Sequence, residues 1–117
     1  MELKLVEHTG SFAENKNIAR KLRTDVIMPA LEKDKEITLN FTGVESATQS
    51  FIHALISDVL RKNGIDVLDR INFKGCNKTI KTLIKIVSEY MQDALEIEGR
   101  KEVGLKSEYK DKKRMQR

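Results

Sequence analysis

Apolar positions change their period several times along the chain, and each change predicts an element. Leu3-Lys4-Leu5-Val6-Glu7 alternates as a half-buried strand does, and Thr9-Gly10-Ser11 breaks it. From about Asn15, the apolar residues Ile18, Ala19, Leu22 and Val26 recur at three- and four-residue spacing with Arg20, Lys21 and Arg23 between them, which predicts an amphipathic helix. Pro29 has no N–H and crowds the preceding turn, so the helix should kink there or restart with Pro29 in a new first turn.

After the charged connection Lys33 to Glu36, Ile37-Thr38-Leu39-Asn40-Phe41 alternates strictly, with Ile37, Leu39 and Phe41 on one face. This is the clearest strand pattern in the chain. Phe51, Ile52, Leu55, Ile56, Val59 and Leu60 then mark a helix with a wide apolar face, stopped by Asn63-Gly64. A third strand is expected over about Ile65 to Phe73, made less regular by Asp66 and Asp69. Asn77 is a candidate cap for a last helix whose stripe runs Ile80, Leu83, Ile84, Val87, Met91 and Ala94, with Lys78, Lys81 and Lys85 opposite.

Strand and helix therefore alternate three times, which implies an α/β fold with a small, mostly parallel or mixed sheet and helices packed on it. The unit from Ile37 to Phe73 should join parallel neighbours by a right-handed crossover, while the first strand admits either direction. There is no internal repeat and no low-complexity stretch.

Composition sharpens this picture. With 117 residues and 39% hydrophobic content, the chain has enough for one domain with one modest core. No stretch approaches the roughly 20 apolar residues that span a bilayer, and Met1-Glu2-Leu3-Lys4 lacks the apolar run of a secretory signal, so a cytoplasmic protein without membrane partners is expected. Cys76 is the single cysteine, so it has no partner for an internal disulfide and reads as an ordinary thiol.

The net charge of +4 is unevenly placed. Residues 1–97 hold 14 Lys or Arg and 14 Asp or Glu, whereas residues 98–117 hold 8 and 4. This divides the chain into a neutral domain, 1–97, and a basic, solvated extension, 98–117. Such an arm can attract phosphates without sequence preference, which makes a nucleic-acid or ribonucleoprotein accessory the alternative function.

Catalytic chemistry has little support. His8 and His53 are the only histidines, neither His-Glu-x-x-His nor paired cysteines occur, and each glycine is isolated, so no zinc site, phosphate loop or cofactor is predicted. Ser50 and His53 lie three apart in the expected helix, close enough for a nucleophile and its base, but no Gly-x-Ser-x-Gly elbow and no third acid accompany them. A non-enzymatic role is expected.

The junction Ser46-Ala47-Thr48-Gln49-Ser50 carries more meaning. Ser46 or Thr48 can cap the following helix, and one cap suffices. A hydroxyl slightly inside the start, at Ser50, stands near the remaining N–H groups and the positive end of the helix, where a phosphate is stabilised. A phosphoryl group there adds up to about two negative charges to a surface of small side chains, enough to eject a packed partner.

The run Ile37 to Val44 followed by Thr48-Gln49-Ser50-Phe51 resembles the core of STAS-like domains, relatives of bacterial anti-sigma-factor antagonists. Thr9-Gly10-Ser11-Phe12-Ala13 with the Ala19 to Leu22 helix is similar to that family's N-terminal segment, and Ile71-Asn72-Phe73 with the Ile80 to Val87 helix to its third strand and last helix. The resemblance covers residues 3–95. It implies a regulatory protein-interaction module whose serine at the helix entry, here Ser50, is phosphorylated by a partner of the histidine-kinase-like ATPase fold, with release as the result. ATP and magnesium would belong to that partner. The antagonists carry Asp-Ser-Ser-Gly at this entry, whereas Thr48 and Phe51 here replace the aspartate and the glycine. The expected partner-binding residues are Ser46, Thr48, Gln49, Ser50 and His53, with Ser46 and Thr48 as caps or secondary acceptors. A second copy of the chain is the other protein partner such a fold admits.

Overall fold

The computed structural model describes residues 1–34 and 36–104, and shows β1 (Glu2–Lys4), α1 (Val6–Thr9), β2 (Phe12–Ala13), α2 (Lys16–Leu22), a π-helical segment (Arg23–Ile27), α3 (Met28–Asp34), β3 (Ile37–Asn40), β4 (Ser46–Ala47), α4 (Gln49–Asn63), a 3-10 segment (Ile65–Arg70), β5 (Ile71–Lys74) and α5 (Lys78–Gly104). The fold is α/β, consistent with one STAS-like domain.

Three strands form a parallel sheet in the order β1-β3-β5, with Leu3 opposite Leu39 and Leu39 opposite Phe73. The first strand thus pairs parallel, and the strands joined by α4 are parallel neighbours, as the alternation requires. Ile37, Leu39 and Phe41 are all fully buried, and so are nearly all of the α4 stripe residues Phe51, Ile52, Leu55, Ile56, Val59 and Leu60. Ile80, Val87 and Met91 of α5 complete the core from the other side of α4, which packs against both α2 and α5. Asn40 is the buried polar residue of the sheet, and it is satisfied: Nδ2 donates to the Glu2 carboxylate at 2.8 Å and Oδ1 accepts from the Thr42 N–H at 2.9 Å.

Four local departures from the sequence pattern have physical causes. The first strand ends at Lys4, and Val6 to Thr9 form one helical turn, closed by Gly10 at φ 72° and by the Thr9 hydroxyl donating to the Leu5 carbonyl. Pro29 does sit in the first turn of a restarted helix, and the turn before it widens so that the Met28 N–H donates to the Arg23 carbonyl, five residues back, which makes room for the proline ring. Ile65 to Arg70 coil as a 3-10 segment, leaving only Ile71 to Lys74 extended, because Val67 and the half-buried Leu68 turn inward together, which strict alternation does not allow. Finally, β2 and β4 form a separate two-stranded parallel sheet, Phe12 opposite Ser46 and Ala13 opposite Ala47. Two residues are too few to show a period.

Helix α5 continues through Gly104, past the expected domain boundary at residue 97. The rest of the basic extension, residues 105–117, lies outside the described residues.

Candidate functional site

The small β2/β4 sheet sets the geometry. Because its strands are parallel and each leads straight into a helix, the starts of α2 and α4 lie side by side. Asn15 caps α2, its Oδ1 accepting from the N–H groups of Asn17 and Ile18. Thr48 caps α4, its Oγ1 accepting from the Phe51 N–H at 3.1 Å, while its own N–H donates to the Ala13 carbonyl at 3.0 Å. Ser46, the other expected cap, is a half-buried strand residue with its N–H on the Ser11 carbonyl; the ladder, not the helix, claims it.

Downstream, Arg23 reaches across from the end of α2 and donates from Nη1 to the Ala54 carbonyl at 2.9 Å. The strand register offsets the two segments by 34 positions and this bond by 31, so the two helices run in the same direction. Between them opens a groove of about 640 Å³. Lys16, Arg20 and Arg23 line it from α2 and the turn after it; Gln49, Ser50, His53, Ser57, Asp58 and Arg61 line it from α4.

Three of the five sequence-predicted residues, Gln49, Ser50 and His53, therefore share one groove, and Ser46 and Thr48 do not line it. Gln49 and Ser50 are exposed and His53 is half-buried. Ser50 is the second residue of α4, where helix geometry leaves the N–H groups of Gln49 and Ser50 without a carbonyl in a preceding turn. No hydrogen bond joins Ser50 to His53 among the described residues; the imidazole instead faces Tyr90 of α5, ring centroids 6.0 Å apart and tilted by 56°.

The basic character of this groove is invisible in the sequence, where its four cations are scattered through residues 1–97, whose 14 Lys or Arg are matched by 14 Asp or Glu. The groove's single carboxylate among the described residues, Asp58, is shared: Oδ2 lies 3.3 Å from Arg23 Nη1 and Oδ1 3.0 Å from Arg61 Nη1. Lys16 and Arg20, on the opposite rim, are exposed. Ser57 is another residue that pattern reading missed. It is 4% exposed, lines the groove, and its hydroxyl has no hydrogen-bond partner among the described residues.

No group of three or more His, Cys, Asp or Glu side chains placed to hold a metal occurs among the described residues, and no helix among them is long and apolar enough to cross a membrane. Cys76 lies away from the groove, in a small apolar hollow with Phe73 and Ile84; burial pushes its thiol above the ordinary value, and the Lys81 ammonium partly offsets this.

The chain belongs to the family described as STAS-like domain of unknown function (DUF4325), whose family model matches residues 19–81, from α2 to the first turn of α5. That span contains Ser50 and most of the groove. Membership points to a regulatory protein-interaction module. No curated protein and no solved structure matches the chain.

Proposed function

We propose that the chain is a non-enzymatic regulatory module that docks a protein partner on the face around the start of α4 and is switched by phosphorylation of Ser50. The observation that carries this reading is the position of Ser50: exposed, in the first turn of α4, beside N–H groups that the Thr48 cap leaves unclaimed. A phosphoryl group on its oxygen is stabilised by those dipoles, and it changes the charge of the surface without disturbing the core residues Phe51 and Ile52 behind it. The partner class supported by the family resemblance is a kinase of the histidine-kinase-like ATPase fold, which would bring its own ATP and magnesium.

The test is mass spectrometry of the chain isolated from its native host, with the Ser50→Ala variant in parallel, followed by capture of partners with the unmodified chain and with Ser50→Asp. One phosphoryl group mapped to Ser50, and a kinase-fold ATPase retained by the unmodified chain but lost by Ser50→Asp, is the expected result. Partner retention that ignores Ser50→Asp sinks the switch. The charge excess of residues 98–117 supports a second reading, a nucleic-acid accessory. In that case binding falls steeply with salt and vanishes on deleting residues 105–117, while Ser50 changes do nothing.

A further inference from the structure

We infer that the groove between α2 and α4 is a binding site for an extended acidic peptide segment, and that Ser50 phosphorylation closes it by occupying its positive end. The inference rests on the reading of the chain as a partner-binding module, and it names the chemistry of the segment bound.

Length is the first argument. Ser50, Ser57 and Arg61 are spaced seven and four residues apart and share one face of α4; the distance from the first to the last is about 16 Å along the helix. Lys16, Arg20 and Arg23 repeat at four and three residues along the facing element. An open channel of that length accepts about five residues of extended chain. A single inorganic anion would use only a fraction of it.

Charge is the second. Four cations and one carboxylate line the groove, and the carboxylate is already paired with Arg23 and Arg61. One carboxylate balances one cation, so the groove keeps a net charge of about three; Lys16 and Arg20 have no carboxylate partner among the described residues, and the strand register sets Lys16 level with Ser50 and Arg20 one turn further on. Residues 1–97 as a whole are neutral, so this is a local field. Nucleic-acid recognition uses a basic face wide enough to meet successive phosphates. A basic groove about 16 Å long, with three of its four cations along one rim, suits glutamate and aspartate side chains spaced along one strand.

The floor is the third. The Ser57 hydroxyl is buried against the groove with no partner among the described residues. A buried hydroxyl left unpaired is costly, and a peptide carbonyl, amide or carboxylate lying in the groove would satisfy it. Gln49 at the rim offers a further donor and acceptor pair. A phosphate on Ser50 would meet Lys16 and Arg20 first and cancel the charge that an acidic segment needs.

Fluorescence anisotropy of the full chain, with a short labelled peptide of alternating glutamate and serine, tests this directly. The matched glutamine peptide and a single-stranded oligonucleotide serve as competitors. The glutamate peptide is expected to bind, to weaken as salt rises, and to lose at least about tenfold in affinity with Lys16→Glu plus Arg20→Glu. Both positions are exposed, and Arg20→Gln gives a milder variant should the double reversal perturb folding. Unchanged affinity in these variants, or equal binding of the glutamine peptide, overturns the proposal. An oligonucleotide that binds more tightly than the peptide and is lost with the same reversals also overturns it, making phosphate backbones the ligand. Ser50→Asp separates the two readings: if it binds the peptide as well as the unmodified chain while the reversals abolish binding, the groove stands and the phosphorylation switch falls.

Discussion

Arg23 and Asp58 stand 3.3 Å apart across the groove between α2 and α4, and the same guanidinium nitrogen donates to the Ala54 carbonyl at 2.9 Å. Two helices that already pack through their apolar faces are thereby tied at the groove by one side chain, itself only 18% exposed. Arg23→Met keeps the aliphatic stem and removes both contacts. It should cost about 2 kcal/mol, the range for losing a charged hydrogen bond at a half-buried site, read as a lower urea midpoint. Arg23→Lys should recover only part of this, because the lysine ammonium ends one bond short of the Nη1 position that meets carbonyl and carboxylate together, and it is the more strongly hydrated cation. A midpoint unchanged in Arg23→Met would show that the clamp contributes nothing.

Ser57 gives the opposite sign. Its hydroxyl is buried without a partner among the described residues, so Ser57→Ala removes an unsatisfied polar group and installs a better helix former. Stability should rise by about 1 kcal/mol while affinity for an acidic peptide falls. A variant that loses stability would mean that the hydroxyl has a structural partner after all.

How much of this was readable in the residues follows from which interactions are local. The alternation at Ile37, Leu39 and Phe41 and the broad stripe of α4 are strong periodic patterns, and both define buried faces. The caps at Thr48 and Asn77 are local chemistry and could be nominated, although choosing Thr48 over Ser46 needed the β2/β4 ladder, which depends on residues more than thirty positions apart. The same distance hid the groove. Lys16, Arg20 and Arg23 look like the solvated side of one helix, and only the parallel entry of α2 and α4 turns them toward Ser50 and Arg61. Ile65 to Arg70 misled for a different reason: a short apolar segment with two aspartates satisfies a strand and a 3-10 coil almost equally well, and burial of Val67 decides between them.

The turn after β5 is tightly constrained. Gly75 has φ 69°, and a Cβ built on it meets the Thr42 hydroxyl and lies 2.7 Å from the Thr42 backbone nitrogen. The Phe41 N–H on the Lys74 carbonyl, at 2.7 Å, holds the two segments at this separation. Gly75→Ala should therefore destabilise by about 2–4 kcal/mol, combining left-handed strain with a backbone clash. A loss no greater than that of an exposed surface substitution would argue that the turn can open freely.

Cys76 next door supplies a pH dependence. Burial raises its thiol and Lys81 only partly offsets this, so the folded state favours the neutral form. The sign follows: between the thiol's ordinary value and its higher folded value, the unfolded chain has lost the proton and the folded chain has kept it. Stability is thus fully present below the ordinary value and falls as pH rises through the folded one. Iodoacetamide, which reacts with the thiolate, should alkylate folded chain more slowly than an unstructured cysteine peptide at the same alkaline pH, and Lys81→Met should slow it further. Equal rates would remove the case for a desolvated thiol.

Asn77 links the last helix to the functional face. Its Oδ1 accepts the Ile80 N–H at 2.9 Å, capping α5, while its Nδ2 donates to the Glu45 carbonyl at 2.8 Å, one residue before β4. The two substitutions Asn77→Ala and Asn77→Asp separate these roles. Alanine loses both and should cost about 1–2 kcal/mol. Aspartate keeps an acceptor at the positive end of α5 but cannot donate to Glu45, so its stability should stay within about 0.5 kcal/mol of the parent. The lost tie should instead show as faster hydrogen exchange at the Glu45, Ser46 and Thr48 amides, which bond to the carbonyls of Ser11 and Ala13. If Asn77→Asp leaves those amides as protected as in the parent, the Asn77–Glu45 tie contributes nothing to holding the start of α4, and the β2/β4 ladder and the packing of α4 on α5 position Ser50 without it.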